Sequence, residues 1–401
     1  MMYLSGQIFQ NGSQTELRDE KAMKESEKQT DICMHCGDEY DRYLGAIVPP
    51  LFQNTLFTRK NRNHGYVYSR INNPTLEIAE QKMAALEKGE AARCFSSGMA
   101  AITAVITSLL QSGDHVITLK SVYYPVKNFL RDYACKFQIT VSFVEGDSVQ
   151  EIEDAIRPNT KLIYLESPSS NIFVIQDLRA IAALAQQHGI KTVIDNTWAT
   201  PIFQNPLTLG IDYVVHSATK YLGGHSDLLG GVVIGDEAHM NKLTNEERAF
   251  YGGVMDPHSA WLLIRSLRTL KIRMKQHEES ALAVAEFLQA HPKVKQVFYP
   301  GLLAHPHYEI GKAQMSGYSG LLSFILDVEN EKAVKVIKNL RFVEEGPSWG
   351  GFESVMNTPG IGAGEEFLSK NGTPNGLIRL SVGLEDTDSL IEDLGQSLDR
   401  F

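Results

Sequence analysis

Cysteine is scarce in this chain, with four in 401 residues. So few cysteines in a chain of this size do not make a disulfide framework, and the usage fits a reducing compartment, the cytoplasm. No uninterrupted apolar run is long enough to span a bilayer. Met1 to Glu20 has no basic stretch followed by an apolar one, so no secretory signal is expected. Positive charge is in deficit: 38 Lys and Arg stand against 48 Asp and Glu, a net charge of -10. That balance argues against a general nucleic-acid surface and gives no reason to expect membrane binding. There is no internal repeat and no low-complexity tract. Cys33-Met34-His35-Cys36 has a Cys-x-x-Cys spacing. No second pair follows at zinc spacing, and no strand precedes it as a thioredoxin-like site requires, so the spacing is read as chance.

What remains is an ordinary soluble composition on a chain long enough for two or three domains and a large core. Residues 1 to about 30 are polar; Glu16 to Lys28 is expected as an exposed charged helix or as disorder. Gly45 to Thr58 holds Pro49-Pro50 and reads as an extended arm. A helix over Thr75–Glu90 follows. Helices at 99–110, 125–133, 149–156 and 178–188 then alternate with strands at 115–119, 140–144, 162–166 and 192–195. That alternation predicts an α/β fold, a mostly parallel sheet with helices on both faces. From Ser259 to Ala290 the pattern predicts one long helix, straight or kinked. After it come strands at 294–299, 320–326 and 377–382 and helices at 331–339 and 387–399, a smaller C-terminal α+β domain. The expected division is an N-terminal arm over 1–60, an α/β domain over 61–257 and the smaller domain over 258–401.

The chemistry gathers around Tyr213-Val214-Val215-His216-Ser217-Ala218-Thr219-Lys220. A short apolar strand ends abruptly in two hydroxyls and a lysine, and open α/β sheets bind ligands at the carboxyl ends of their strands. A partly desolvated lysine there is a candidate Schiff-base nucleophile, because burial favours its neutral amine. A second apolar strand, Lys191 to Asp195, ends in a carboxylate. Ser96-Ser97-Gly98-Met99 opens a helix, and a helix N-terminus preceded by small residues is an anion site. A lysine, a carboxylate and a phosphate cradle are what pyridoxal 5'-phosphate needs. His216 and His225 flank the lysine without a carboxylate or cysteine at ligand spacing, and they read as hydrogen-bonded histidines; no metal is expected.

Ser217-Ala218-Thr219-Lys220-Tyr221-Leu222-Gly223-Gly224-His225 resembles the cofactor-lysine signature of the Cys/Met-metabolism (transsulfuration) family of pyridoxal-phosphate enzymes. The resemblance runs from about residue 30 to the end. It takes in Gly45-Ala46-Ile47-Val48-Pro49-Pro50, Tyr68-Ser69-Arg70 with Asn73-Pro74-Thr75, Ser97-Gly98-Met99-Ala100, Asp195-Asn196-Thr197, and Leu377 to Asp386. It implies a fold-type I, transferase-like architecture whose arm reaches over a neighbouring subunit. The assembly implied is a homotetramer, a dimer of dimers with active sites shared across subunits.

Roles follow from the same resemblance. Lys220 holds the cofactor and serves as base for the substrate Cα proton. Asp195 keeps the pyridine nitrogen protonated, and Tyr123 stacks on the ring, with Tyr124 as its competitor. Gly98, Met99, Ser217 and Thr219 bind the phosphate, joined by Tyr68 and Arg70 from an adjacent subunit. Arg379 clamps the substrate α-carboxylate; a structural ion pair with a nearby acid is its alternative. Ser348 lies near the same carboxylate, and Trp349 lines the substrate side. The implied activity is a carbon–sulfur lyase on cystathionine or a related thioether amino acid, closest to β-elimination in methionine biosynthesis. Family members of the γ type usually carry glutamate before the serine of Ser-x-Gly-Gly, leucine after it, and asparagine where Ser170 stands. Here Pro347 and Trp349 flank Ser348, and Trp198 follows Asp195-Asn196-Thr197. Tyr68-Ser69-Arg70 is closer to the γ type, so γ-elimination and γ-replacement stay open as alternatives, with a non-catalytic cofactor-binding protein behind them.

Overall fold

A computed structural model of the chain describes residues 28–58, 60 and 65–400. The expected helix over Glu16 to Lys28 therefore lies outside the described residues, apart from Lys28. The first described helix is α1 (Gln29–His35). Its Cys33 is buried, which makes that cysteine part of the packing. Helix α2 (Pro74–Glu87) starts where Asn73 accepts from the Thr75 N–H at 2.9 Å, with Pro74 at the first helical position. It stops at Glu87, short of the expected Glu90, because Lys88 turns left-handed before Gly89.

The large sheet is built from β1 (Ala91–Phe95), β2 (His115–Leu119), β3 (Thr140–Val144), β4 (Thr160–Glu166), β5 (Lys191–Asp195), β6 (Tyr213–Ser217) and β7 (Gly231–Gly235). Their order is β1-β7-β6-β5-β4-β2-β3. Strand β7 runs antiparallel to both neighbours, and the other pairs are parallel. Helices α3 (Gly98–Leu109), α4 (Tyr124–Asn128), α5 (Val149–Asp154) and α6 (Leu178–Gln187) lie between strands β1 and β5 in the chain. The expected helix over 125–133 is α4 followed by a wider π turn, Phe129–Tyr133. Strands β1 and β7 have no counterpart in the sequence reading. Arg93 interrupts the apolar pattern of the first, and the glycines bounding the second hide it.

Both faces of this sheet are covered, as the near-continuous apolar strands require. Ile163, Leu165, Ile194 and Val214 point into one core with α2 and α6. Their chain neighbours Leu162, Tyr164, Val193 and Val215 point into a second core with α3. Each such fully buried Val, Leu or Ile contributes roughly 1.5–3 kcal/mol.

The expected long helix over 259–290 is instead two, α7 (Pro257–Leu267) and α8 (Leu270–Ala290). The break needs neither proline nor glycine. The Ser266 carbonyl is taken by the Thr269 N–H at 3.1 Å and by Arg273 Nη2 at 3.0 Å, which tightens and ends the last turn. A smaller sheet follows, made of β8 (Val294–Phe298), β9 (Leu321–Leu326), β10 (Glu344–Glu345), β11 (Val355–Asn357) and β12 (Leu377–Ser381), in the order β10-β11-β12-β9-β8. Helices α9 (Asn330–Lys338) and α10 (Thr387–Arg400) belong to the same stretch. Leu322, Phe324 and Ile378 of this sheet share one continuous core with Ile194 and Val214 of the large one, with Met274 and Ala281 of α8. No described helix is long and apolar enough to cross a membrane.

Candidate active site

The carboxyl ends of β4, β5 and β6, the N-terminus of α3 and the segment before β11 enclose a cavity of about 310 Å³. Sequence-expected residues Gly98, Met99, Tyr123, Asp195, Ser217 and Thr219 line it, together with Lys220, Trp349 and Arg379. Lys220 lies one turn beyond β6. Its Nζ donates to Ser348 Oγ at 2.8 Å and stands 5.4 Å from the centre of the Trp349 ring. Burial, and then the Arg379 charge, push the amine down to about 8, while Asp195 opposes them.

Asp195 ends β5 with its Oδ1 accepting from the Thr197 N–H at 2.9 Å and from the Thr197 hydroxyl. Among the described residues it has no ion-pair partner. Burial raises its pKa, against the hydrogen bonds from Thr197 and the charges of His216 and Lys220. A buried carboxylate without a cation is costly, and it fits a ligand bearing an N–H. Arg379, lining the same cavity, carries the opposite sign. Its Nη2 donates to the Pro347 carbonyl at 2.6 Å, and no carboxylate among the described residues pairs with it. The structural ion pair considered from sequence is absent there. Burial lowers the Arg379 pKa to about 10.

The anion cradle is assembled by close approach. Ser97 caps α3, its Oγ accepting from the Ala100 N–H at 3.0 Å. A Cβ on Gly98 would fall 2.9 Å from both Cβ and Oγ of Ser217, so glycine is what lets α3 meet the end of β6. The Thr219 hydroxyl is held by Gly230, accepting from its N–H at 3.2 Å. Tyr68 and Arg70 are outside this chain's cavity. Arg70 donates to the Ala249 carbonyl and lies over the Tyr68 ring, 5.7 Å from its centre. His216 and His225 hydrogen-bond to Glu87 and to the Gly223 carbonyl.

Glu166 has no role in the sequence reading beyond closing a strand, although it ends β4 just as Asp195 ends β5, directly opposite it. That shared pattern, an apolar strand closed by a carboxylate, was the available signal. Its Oε2 accepts from the Tyr123 N–H at 2.7 Å and its Oε1 from the Ser170 hydroxyl at 2.5 Å. Burial and the neighbouring Asp195 push it up to about 8. Glu166 thus secures Tyr123, which is 45% exposed and presents its ring at the cavity. Phe173 and Trp198 form an apolar wall, ring centres 6.0 Å apart, with Trp198 Nε1 donating to the Leu321 carbonyl at 3.1 Å. Only segment geometry reveals Phe173, since nothing in its own sequence context marks it.

An amine, a carboxylate without an ion-pair partner, a helix N-terminus framed by hydroxyls and a guanidinium that no carboxylate pairs with among the described residues fit pyridoxal phosphate with an amino acid beside it. Comparisons with known proteins agree. Residues 30–399 match the family described as Cys/Met metabolism PLP-dependent enzyme. A cystathionine gamma-lyase of Bacillus subtilis (strain 168) is 40% identical over 381 residues, covering 93% of this chain and 100% of the relative. A cystathionine beta-lyase of Lactococcus lactis subsp. cremoris is 37% identical over 374 residues, covering 92% of this chain and 98% of the relative. A crystal structure of metB from Corynebacterium glutamicum superposes with a TM-score of 0.90 at 34% identity, covering 94% of this chain and 98% of that one. The chain belongs to the Cys/Met metabolism family of PLP-dependent enzymes, and it is a PLP-dependent carbon–sulfur lyase.

Proposed function

We propose that the enzyme catalyses β-elimination of cystathionine, which with one water yields homocysteine, pyruvate and ammonia. Bound pyridoxal phosphate supplies an electron-withdrawing ring that makes the substrate Cα proton acidic. In this reading Lys220 holds the cofactor and then takes the Cα proton at Nζ, a task suited to an amine titrating near 8. Asp195 keeps the proton on the pyridine nitrogen. Arg379 binds the substrate α-carboxylate in a fork, with Ser348 and Trp349 beside it. Tyr123 covers the ring. The Gly98 and Met99 N–H groups and the Ser217 and Thr219 hydroxyls take the phosphate, completed by Tyr68 and Arg70 of an adjacent subunit in a homotetramer. The arm, α/β and C-terminal domains are drawn at 1–60, 61–257 and 258–401, and the enzyme is assigned to the cytoplasm.

The observation that carries β over γ is the pair of tryptophans. Trp198, held by the Leu321 carbonyl, and Trp349, edge-on to Tyr221 at 5.5 Å between ring centres, narrow the cavity around one amine. β-Elimination needs one proton removed, at Cα. γ-Elimination needs a second, at Cβ, and a site that holds the substrate through that extra stage. The second reading, γ-elimination, is favoured by the 40% identity to a cystathionine gamma-lyase. The keto acid released from cystathionine decides between them. Pyruvate with homocysteine is expected; 2-oxobutanoate with cysteine would move the enzyme to the γ-lyases.

A further inference from the structure

Behind the cavity, on the other face of the large sheet, lies a buried polar network that the reaction above does not use. Successive strand residues point to opposite faces. Asp195 and Ser217 line the cavity, while their neighbours Asn196 and His216 point back toward α2. There Glu87, the last residue of α2, accepts from both: Asn196 Nδ2 at 2.7 Å and His216 Nε2 at 2.5 Å, on the same Oε1. Gln204 Nε2 extends the network, donating to Asn196 Oδ1 at 2.9 Å and to the Ser167 carbonyl, next to Glu166, at 3.0 Å. Glu87, Asn196 and His216 are each 0% exposed.

A carboxylate this deep is tolerated only when paired and hydrogen-bonded. Among the described residues His216 is the sole ion-pair partner of Glu87. Since the carboxylate accepts, the shared hydrogen sits on His216 Nε2. The network therefore ties the ends of β5 and β6 to one helix end, directly beneath two residues of the cavity. It also lies within electrostatic reach of Asp195: burial raises that carboxyl, Thr197 opposes through hydrogen bonds, and a charge on His216 opposes next.

We propose that Glu87 and His216 are positioning residues, a buried carboxylate–imidazole pair that holds the ends of β5 and β6 from behind and so sets where Asp195 and Ser217 meet the cofactor. This rests on the reading that Asp195 and Ser217 bind pyridoxal phosphate. The test is the affinity of cofactor-stripped protein for pyridoxal phosphate, read by absorbance titration, alongside urea unfolding of the same protein. Glu87→Gln and His216→Asn keep the side-chain shape and are expected to weaken cofactor affinity about 10-fold or more, the range of residues that orient a ligand's direct partners. Their kcat falls while KM for cystathionine changes little. Leu390→Ala, on the buried face of α10, is the control: it loses stability but keeps cofactor affinity. Asn205→Ala removes the outer bond to Glu87 Oε2, 3.3 Å long, along with bonds to the Leu86 and Pro201 carbonyls, while leaving the Glu87–His216 pair itself intact, and it decides the matter if the buried variants fail to fold; about a two-fold to five-fold weakening is expected. Wild-type affinity in the pair variants, or in Asn205→Ala where those do not fold, overturns the proposal when Asp195→Asn binds weakly. Wild-type affinity in Asp195→Asn overturns the underlying reading instead.

Discussion

Arg273 Nη1 donates to the carbonyl of Tyr221 at 2.7 Å, so a buried guanidinium grips the residue next to Lys220. Arg273 is 6% exposed, and no carboxylate among the described residues pairs with it. Its other nitrogens donate to the Ser266 carbonyl at 3.0 Å and to Thr269 Oγ1 at 3.2 Å, at the break between α7 and α8. The negative end of α7 thus supplies much of the counter-charge. Gly224, with φ +65°, gives it room, because a Cβ there would lie 2.0 Å from Nη1. Arg273→Met strips the Tyr221 carbonyl of its partner, whereas the Ser266 carbonyl keeps the Thr269 N–H, and it should destabilise the protein by about 1–3 kcal/mol. Arg273→Lys should lose less. Urea unfolding with a cofactor titration checks both, and a folded Arg273→Met with native stability contradicts the clamp.

A second expectation concerns Lys220. Folding lowers its pKa from 10.5 to about 8, so between those values the unfolded chain binds more protons than the folded one. The stability of cofactor-free protein owed to this group is poorest below pH 8 and rises across that window. Lys220→Met should therefore stabilise the cofactor-free protein most below pH 8, with the gain fading by pH 10.5. In the loaded enzyme, borohydride should fix the cofactor to Lys220, and Lys220→Ala should cost about 10²-fold to 10⁴-fold in kcat at least. A label on another lysine, or unchanged activity, would end the assignment.

A shared site can be tested by mixing subunits. Arg70 is occupied with the Ala249 carbonyl and lies outside its own chain's cavity. Arg70→Ala and Lys220→Ala subunits, each inactive alone, should regain activity when exchanged into one assembly, because a hybrid dimer holds one site with both native residues. About a quarter of native activity is the ceiling for random dimers. No recovery despite proven exchange counts against a site built from two chains.

Much of this was readable from residue order, for a physical reason. Asp195 and Lys220 follow short apolar strands, and parallel strands send their carboxyl ends to one side. Once the alternation of helix and strand was recognised, those residues had to meet. Strands β1 and β7 were not readable because antiparallel pairing depends on partners far along the chain, Arg93 against Val233 for example. The split of α7 from α8 depends on Arg273 reaching back to Ser266, which propensity does not express. Glu166 was placed at a strand end but given no chemistry, since its importance comes from facing Asp195 across a strand pair. The Glu87–His216 pair joins residues 129 positions apart, and periodicity is silent on such contacts.

The last expectation is that product choice can be shifted at the loop beside Lys220. Ser348 touches Nζ, and the residues flanking it are Pro347 and Trp349. Pro347 meets Arg379 only through its backbone carbonyl, so a new side chain at 347 leaves that contact in place. Trp349 packs edge-on against Tyr221 and lines the cavity. Pro347→Glu adds a carboxylate near the amine, and Trp349→Leu opens space beside it. Both changes install the residues usual in γ-type members. A carboxylate there would stabilise the protonated lysine after the first proton is taken, and the wider site would accommodate the second removal at Cβ. The double variant should lower pyruvate release and raise the ratio of 2-oxobutanoate to pyruvate by about 10-fold, equivalent to about 1.4 kcal/mol between the two barriers. Coupled dehydrogenase assays on cystathionine measure both keto acids. A double variant that folds and binds cofactor, yet keeps the parent ratio, would show that this loop does not decide between β- and γ-chemistry.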